Sequence, residues 1–294
     1  MKQKVLVILG PTATGKSNLA IKIAKKYKGE VISADSRQVY KGLDIGTGKI
    51  TKKEMGGIPH HMLNIISPKK TFTVVDWKKQ TEKIIIDILK RDKLPIICGG
   101  TGFYIQSIVD GIVLPQVPPN PHLRKNLEKK NLSWLQKTLK KLDLKRFKDI
   151  DVRNKVRLIR AIEIAEFLGS VPKVIKQKVP YQILQIGLPP ENLKHRIHIR
   201  LLARIKNGMI SEAKKLHEHG LSWRRMRELG LEYRYLADYL EKILTKKEFL
   251  QRLEREIYHY SKRQMTWFKK DKRIKWFNPR KTREIKKKII KLLA

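Results

Sequence analysis

The sequence predicts an α/β fold in which helices flank a parallel sheet, with a helical insertion domain and a helical C-terminal part. Three observations carry that prediction. Gly10-Pro-Thr-Ala-Thr-Gly15-Lys16-Ser17 matches G-x-x-x-x-G-K-[ST] and lies between an apolar run and an amphipathic stretch. Further strand-like runs at 30–33 and 96–98 alternate with helical periodicity, the pattern of strands joined by crossover helices. Prolines at 115, 118, 119 and 121 then mark a boundary, beyond which the periodicity is helical until a strand-like run at 181–187. The first observation makes the sheet P-loop NTPase-like.

Taken in order, Val5-Leu-Val-Ile-Leu9 reads as a buried strand and 18–26 as the helix behind the loop. Between them, Gly10, Pro11, Thr12, Ala13, Thr14, Gly15, Lys16 and Ser17 form the expected phosphate cradle. Its glycines permit positive φ and bring backbone N–H groups to an anion, and the helix adds its positive end. Lys16 is placed to reach the terminal phosphates, and the Ser17 hydroxyl to bind Mg2+. The second strand ends in Ala34-Asp35-Ser36-Arg37-Gln38, and a Gly-rich irregular stretch covers 42–57. A helix over 75–91 presents Ile84, Ile85, Ile88 and Leu89 on one face. Pro95 starts a third strand, which ends in Cys98-Gly99-Gly100-Thr101-Gly102 with a short helix from Phe103. Ligands of parallel sheets sit at the carboxyl ends of the strands, so the clusters at 10–17, 35–38 and 99–102 should converge on one site.

The expected core is 1–114 with 181–294, and the insertion is 115–180. Within the insertion, Leu123, Leu127, Leu135, Leu139 and Leu142 fall at helical spacings, and Arg157 and Arg160 share a face by i,i+3 spacing. From about 191 the chain is predominantly helical, ending in a basic stretch that stays amphipathic through Ile285, Ile289 and Ile290. Trp267 and Phe268 are expected to belong to a buried helix face rather than to serve as base-stacking platforms.

Composition narrows the function. Lys plus Arg number 67 against 27 Asp plus Glu, a net charge of +40. Residues 1–112 hold 20 basic and 9 acidic residues, so most of the excess lies in the part without the phosphate loop. Such a charge favours a polyanionic partner, and a nucleic acid is expected. Cys98 is the single cysteine, which excludes an intrachain disulfide and a multi-cysteine metal site. The sequence has no apolar run of the roughly 18 residues that a membrane span needs. Because 1–4 runs straight into the first strand, no signal or transit peptide is expected and the chain is expected to be cytoplasmic.

The third strand ends without the carboxylate that nucleotide hydrolases use to support Mg2+, which disfavours an ATP-driven motor or switch. Asp35, at the next corner, is placed where a base meets an acceptor approaching the terminal phosphate. A small-molecule kinase uses the same layout and stays open on these features alone. Thr101 after two glycines reads equally as a turn residue and as a ligand contact. Adjacent His60 and His61 do not share a face and are not expected to bind a metal.

Together the clusters resemble those of the tRNA dimethylallyltransferases (tRNA isopentenyltransferases). The phosphate loop, Ile32-Ser-Ala-Asp35-Ser-Arg-Gln-Val-Tyr-Lys-Gly-Leu-Asp-Ile-Gly-Thr47, Gly57-Ile-Pro-His-His61, Gly99-Gly-Thr-Gly-Phe-Tyr104, Arg157-Leu-Ile-Arg-Ala-Ile-Glu163 and Tyr260-Ser-Lys-Arg-Gln-Met-Thr-Trp-Phe268 carry the resemblance. Departures are Arg200-Leu-Leu-Ala-Arg204, which lacks an acidic residue and a methionine, Gly48 for alanine, and Arg153-Asn154 for Asn-Asp. The resemblance implies transfer of a dimethylallyl group from dimethylallyl diphosphate to N6 of the adenosine just 3′ of the anticodon. Asp35 is then the general base, with Lys16, Thr101, Arg200 and Mg2+ at Ser17 stabilising the departing diphosphate or orienting the adenosine. It further implies that the insertion grips the anticodon stem-loop of the tRNA. Asp35, Ser36, Arg37, Gln38, Thr101, Arg124, Arg157, Ile159, Arg160, Ala161 and Glu163 are the contacts it suggests. A monomer is the default expectation for so large and asymmetric a substrate. An adenine-nucleotide prenyltransferase is the alternative beside the kinase, and it would need neither the insertion nor the basic C-terminal helices.

Overall fold

The computed structural model describes residues 3–278 and 282–293. The start of the expected leaderless N-terminus, Met1 and Lys2, lies outside the described residues. The chain divides into two compact units, Met1–Gly111 with Lys178–Ala294, and Ile112–Gln177.

The first unit is built on a six-stranded sheet in which every pairing is parallel. Strand β1 (Gln3–Leu9) leads through the phosphate loop into α1 (Lys16–Lys26), and β2 (Gly29–Ala34) follows. After β2 come the one-turn helix α2 (Lys52–Met55) and the short strand β3 (His60–His61). Helix α3 (Val74–Lys90), strand β4 (Leu94–Gly99) and helix α4 (Gly102–Val109) complete the first half. Both α2 and α3 start on a reciprocal threonine cap, Thr51 with Glu54 and Thr73 with Asp76, a signature readable in the sequence.

The insertion unit begins with β5 (Ile112–Val113), followed by α5 (Pro121–Glu128), α6 (Leu132–Leu142), α7 (Leu144–Asp149) and α8 (Lys155–Leu168). It ends with β6 (Ile175–Lys176), which pairs antiparallel with β5. That pairing ties its two ends together and moves the boundary slightly N-terminal of the expected 115–180 at both ends.

Back in the first unit, β7 (Tyr181–Gly187) occupies the residues expected of it. Helices α9 (Leu193–Lys206), α10 (Met209–Glu218), α11 (Trp223–Glu228), α12 (Leu231–Leu240) and the long α13 (Lys246–Phe268) follow. Strand β8 (Lys275–Trp276) and helix α14 (Thr282–Leu293) close the chain.

The strand order is β3-β2-β4-β1-β7-β8. Helices cover both faces, so the central strands are apolar on both sides, as parallel strands must be. Leu6, Ile8, Ile96 and Ile186 pack with Ile23 of α1 and Ile285 and Ile289 of α14. Val5, Val7, Leu9, Ile32 and Ile97 pack on the opposite face with α3, α4 and the C-terminal helices. No helix among the described residues is long and apolar enough to cross a membrane.

At the opposite end of β2 from its Asp35 corner, the Glu30 carboxylate, 2% exposed, is surrounded by cations. It accepts from Nη1 and Nη2 of Arg91, from Lys93 Nζ (2.8 Å) and from His61 Nε2 (2.8 Å). His60 Nδ1 bonds the Ile58 carbonyl, so both histidines serve local structure. The Arg91 hydrogen bonds hold the Glu30 carboxyl far below its ordinary pKa of 4.5. Because the folded pKa is depressed, this stabilisation is complete above the unfolded pKa and is lost as pH falls below it. Glu30→Ala is expected to cost about 3 kcal/mol at neutral pH. Denaturant titration at pH 7 and pH 3 checks it, and the gap between variant and wild type should narrow at pH 3.

The insertion has its own core, in which Leu127, Leu135, Leu139, Leu158, Ile159, Ala161 and Ile162 pack together. Ile159 and Ala161, expected as RNA contacts, are therefore core residues at 7% and 3% exposure. Glu163 is likewise inside, at 2%. Its carboxylate accepts from Arg124 Nε (2.8 Å) and Nη2 (2.6 Å), from the Asn120 N–H (2.7 Å) and from Arg160. Burial alone would raise its pKa, but these donors outweigh burial and lower it. Arg160 also donates to the Val117 carbonyl at 2.9 Å. Arg124 and Arg160 are thus engaged in holding the insertion together, with about a third of each side chain exposed. Arg157 is more open, its side chain 56% exposed and its nearest acid, Asp151, 3.8 Å away.

Candidate active site

The three corners that follow β1, β2 and β4 come together at the carboxyl ends of the strands. The loop after β1 turns through Gly10 at φ 146°, Ala13 at 63° and Gly15 at 88°. Gly10 is required twice over, by its φ and because a Cβ there would lie 2.5 Å from the Leu188 carbonyl oxygen. Thr14 Oγ1 donates to the Pro11 carbonyl at 3.0 Å, and Lys16 Nζ donates to the same oxygen. Gly15 caps α1, so Lys16 and Ser17 form its first turn, where the N–H groups have no helical partner.

Asp35 follows β2 and closes a tight turn. Its Oδ1 accepts from the N–H of Arg37 (2.8 Å) and more weakly of Gln38 (3.4 Å). Its Oδ2 accepts no hydrogen bond among the described residues. Thr101, following β4, is bound to this corner from two sides. Its Oγ1 accepts from the Ser36 N–H (3.1 Å), and its N–H donates to the Ala34 carbonyl (3.0 Å). The first corner is joined to the third by Gln264 of α13, which bonds the Thr12 N–H (3.1 Å) and the Gly100 carbonyl (2.9 Å).

Electrostatics tie the same groups together. Burial lowers the Lys16 pKa to about 8, with Cys98 and Asp35 opposing and Arg200 reinforcing the fall. Lys16, Asp35 and Arg200 therefore lie within electrostatic reach of one another. Burial raises the Asp35 pKa against the pull of the Arg37 N–H, and Glu232 adds to the rise. Asp35 also feels two phenols, Tyr104 and Tyr260, whose own pKa values burial raises, that of Tyr260 to about 12. Arg200, exposed on α9 beside Arg196 and Arg204, has no carboxylate partner among the described residues. Its Nη2 lies 3.4 Å from where a Cβ on Gly48 would stand, so the glycine leaves this guanidinium room.

Arg37 and Gln38 are partly committed. Arg37 donates to the Glu228 carbonyl (3.3 Å), while Gln38 accepts from Ser33 Oγ (3.2 Å). The Gly-rich stretch is ordered by Glu212, a residue without a visible role in the sequence. Its carboxylate accepts the N–H groups of Asp44 (2.9 Å), Ile45 (2.7 Å) and Gly46 (2.9 Å), plus the Tyr233 hydroxyl (2.5 Å). Of the two aromatics expected in a buried face, Phe268 is buried but Trp267 is 38% exposed. Adjacent positions on a helix point about 100° apart, so the two rings cannot share one buried face. Trp267 instead lies against Gly102, where a Cβ would come within 2.4 Å of its Cδ1.

A glycine-rich anion cradle at the carboxyl edge of a parallel sheet, with a half-buried carboxylate at the adjoining corner, defines a P-loop-like α/β protein. Comparison with known proteins narrows that class. The IPP transferase family model matches residues 38–271. The tRNA dimethylallyltransferase 2 of Treponema denticola is 45% identical over 276 residues, 92% of each chain. A crystal structure of the full-length tRNA isopentenylpyrophosphate transferase of Bacillus halodurans superposes with a TM-score of 0.75 at 36% identity, covering 99% of this chain and 97% of that one. A eukaryotic dimethylallyltransferase acting on tRNA gives a TM-score of 0.74 at 28% identity over 90% of this chain and 69% of its own. The chain belongs to the IPP transferase family.

Proposed function

We propose that this protein transfers a dimethylallyl group from dimethylallyl diphosphate to N6 of the adenosine immediately 3′ of the anticodon in tRNA. The observation that carries this reading is the junction of three corners around Lys16, with Asp35 Oδ2 unengaged beside an anion cradle. An exocyclic adenine amine is a poor nucleophile because its lone pair is delocalised into the ring. In the reaction that lone pair attacks C1 of the donor, the C1–O bond breaks, and its electron pair leaves with the diphosphate. The N6 proton passes to Asp35 Oδ2, whose basicity is increased by burial. Lys16, the loop N–H groups and Arg200 stabilise the charge growing on the leaving group. Thr101, fixed against Ser36, orients the adenosine.

Ser17 is exposed in the first turn of α1, with no hydrogen-bond partner for its hydroxyl among the described residues, so it is the residue that would hold an Mg2+ ion. When bound, that ion neutralises part of the leaving-group charge. The target base must leave its stack to reach the pocket. The basic insertion, with Arg157 the most accessible of its candidate arginines, holds the anticodon stem-loop. A cytoplasmic monomer acting on one tRNA at a time suits these features.

The test is to incubate unmodified tRNA, AMP and ATP in turn with labelled dimethylallyl diphosphate and Mg2+. Label in tRNA is expected. Label in AMP alone points to a nucleotide prenyltransferase, and ADP formation without prenylation to a kinase. Because the Lys16 pKa is lowered to about 8, kcat/KM for the donor should fall as pH rises through that value. Lys16→Arg, which stays protonated, should lose this alkaline limb.

A further inference from the structure

We propose that Gln264 is a positioning residue that pre-shapes the phosphate loop for the diphosphate of the donor. The inference rests on the reading of that loop given above and deepens it. The buried stripe of α13 runs Phe249, Leu253, Ile257, Ser261, Gln264, Phe268. A long amide in such a stripe is costly unless both ends are hydrogen-bonded. Both ends of Gln264 are, and each partner belongs to the site. Oε1 accepts the Thr12 N–H inside the loop, and Nε2 donates to the Gly100 carbonyl beside Thr101. Gly100 is shaped for this contact, since a Cβ on it would lie 2.4 Å from Nε2 and 3.4 Å from the Gly10 carbonyl oxygen.

Two consequences follow from the bonding. The Thr12 N–H is occupied, so donor oxygens are met by later groups of the loop. The amide also fixes a loop that carries a non-glycine positive φ at Ala13, 63°, a conformation that surrounding structure must impose. An anion site whose donors are already aimed binds without the cost of ordering them. Gln264 therefore acts on donor affinity through the loop and touches no reacting atom.

Gln264→Glu keeps an acceptor for Thr12 but sets a carboxylate oxygen against the Gly100 carbonyl and a negative charge beside the cradle. Gln264→Met keeps the volume and removes both bonds. Inorganic diphosphate with Mg2+ is titrated calorimetrically into the full chain and both variants, with thermal melting recorded on the same samples. Gln264→Met is expected to weaken diphosphate binding about tenfold, and Gln264→Glu about a hundredfold. KM for dimethylallyl diphosphate should rise in parallel while KM for tRNA stays near wild type, and melting should fall by only a few degrees in Gln264→Met because the loss is confined to two hydrogen bonds. A merely structural glutamine would instead shift both KM values together and leave diphosphate affinity near wild type at temperatures where the variant is folded, which overturns the proposal. Should Gln264→Glu not fold, Gln264→Met decides alone. Wild-type protein that binds no diphosphate overturns the assignment of the loop itself. Wild-type binding matched by both variants overturns only the role of Gln264.

Discussion

Asp35→Asn is expected to lower kcat by about 10²- to 10⁴-fold, the range lost when a positioned general base is removed. The substitution is nearly isosteric and retains an oxygen for the Arg37 and Gln38 N–H groups, so the turn after β2 survives. Diphosphate affinity and KM for tRNA should therefore stay close to wild type, confining the loss to turnover. The pH profile separates a base from a bystander. Burial raises the Asp35 pKa, so wild-type kcat should fall on the acid side as Asp35 protonates, at a higher pH than for an ordinary aspartate. The residual activity of the variant should lack that limb. Steady-state kinetics across pH check both expectations.

Glu163→Ala acts on the other unit. Its carboxylate is the common acceptor for Arg124, Arg160 and the Asn120 N–H, and removing it leaves both guanidinium groups facing each other without a counter-charge. The expected cost to the insertion is about 3 kcal/mol, since breaking a buried ion pair from one side strands the other. tRNA affinity should fall with it, because the basic surface of the insertion is displayed on that framework. Diphosphate binding should be unchanged, because the cradle belongs to the first unit. Melting curves, filter binding of tRNA and diphosphate calorimetry on one preparation measure all three. Loss of diphosphate binding would contradict the separation of roles.

What could be read in the sequence was what local backbone chemistry determines. The cradle at 10–17 is set by its glycines and the flanking apolar and amphipathic runs, and the corners at 35–38 and 99–102 by where apolar runs end. β7 was legible because its pattern stands between turn residues on both sides. What could not be read depended on distant partners. Lys49 looks like a solvated charge in a Gly-rich stretch, yet it is 8% exposed and donates to the Tyr40 carbonyl, Asp44 and Asn64. Arg124 and Arg160 look like independent charges on a basic face, yet the buried Glu163 stands between them and accepts from both. The i,i+3 spacing of Arg160 and Glu163 was visible, whereas Arg124 arrives from another helix. Gln264 stood inside the Tyr260–Phe268 block, but its local pattern showed only a polar residue in a stripe otherwise mostly apolar. Its two partners lie over 160 residues away in the chain and no local pattern joins them.

The most direct measurement is a structure of the protein with tRNA and an unreactive dimethylallyl thiodiphosphate. Asp35 Oδ2 should stand at roughly 3 Å from N6 of an extruded adenine, the reach of a proton-accepting base. That amine should face C1 of a donor whose phosphates rest on the loop and Lys16. A carboxylate turned away from the purine, or a diphosphate seated anywhere but on the loop after β1, would contradict the assignment.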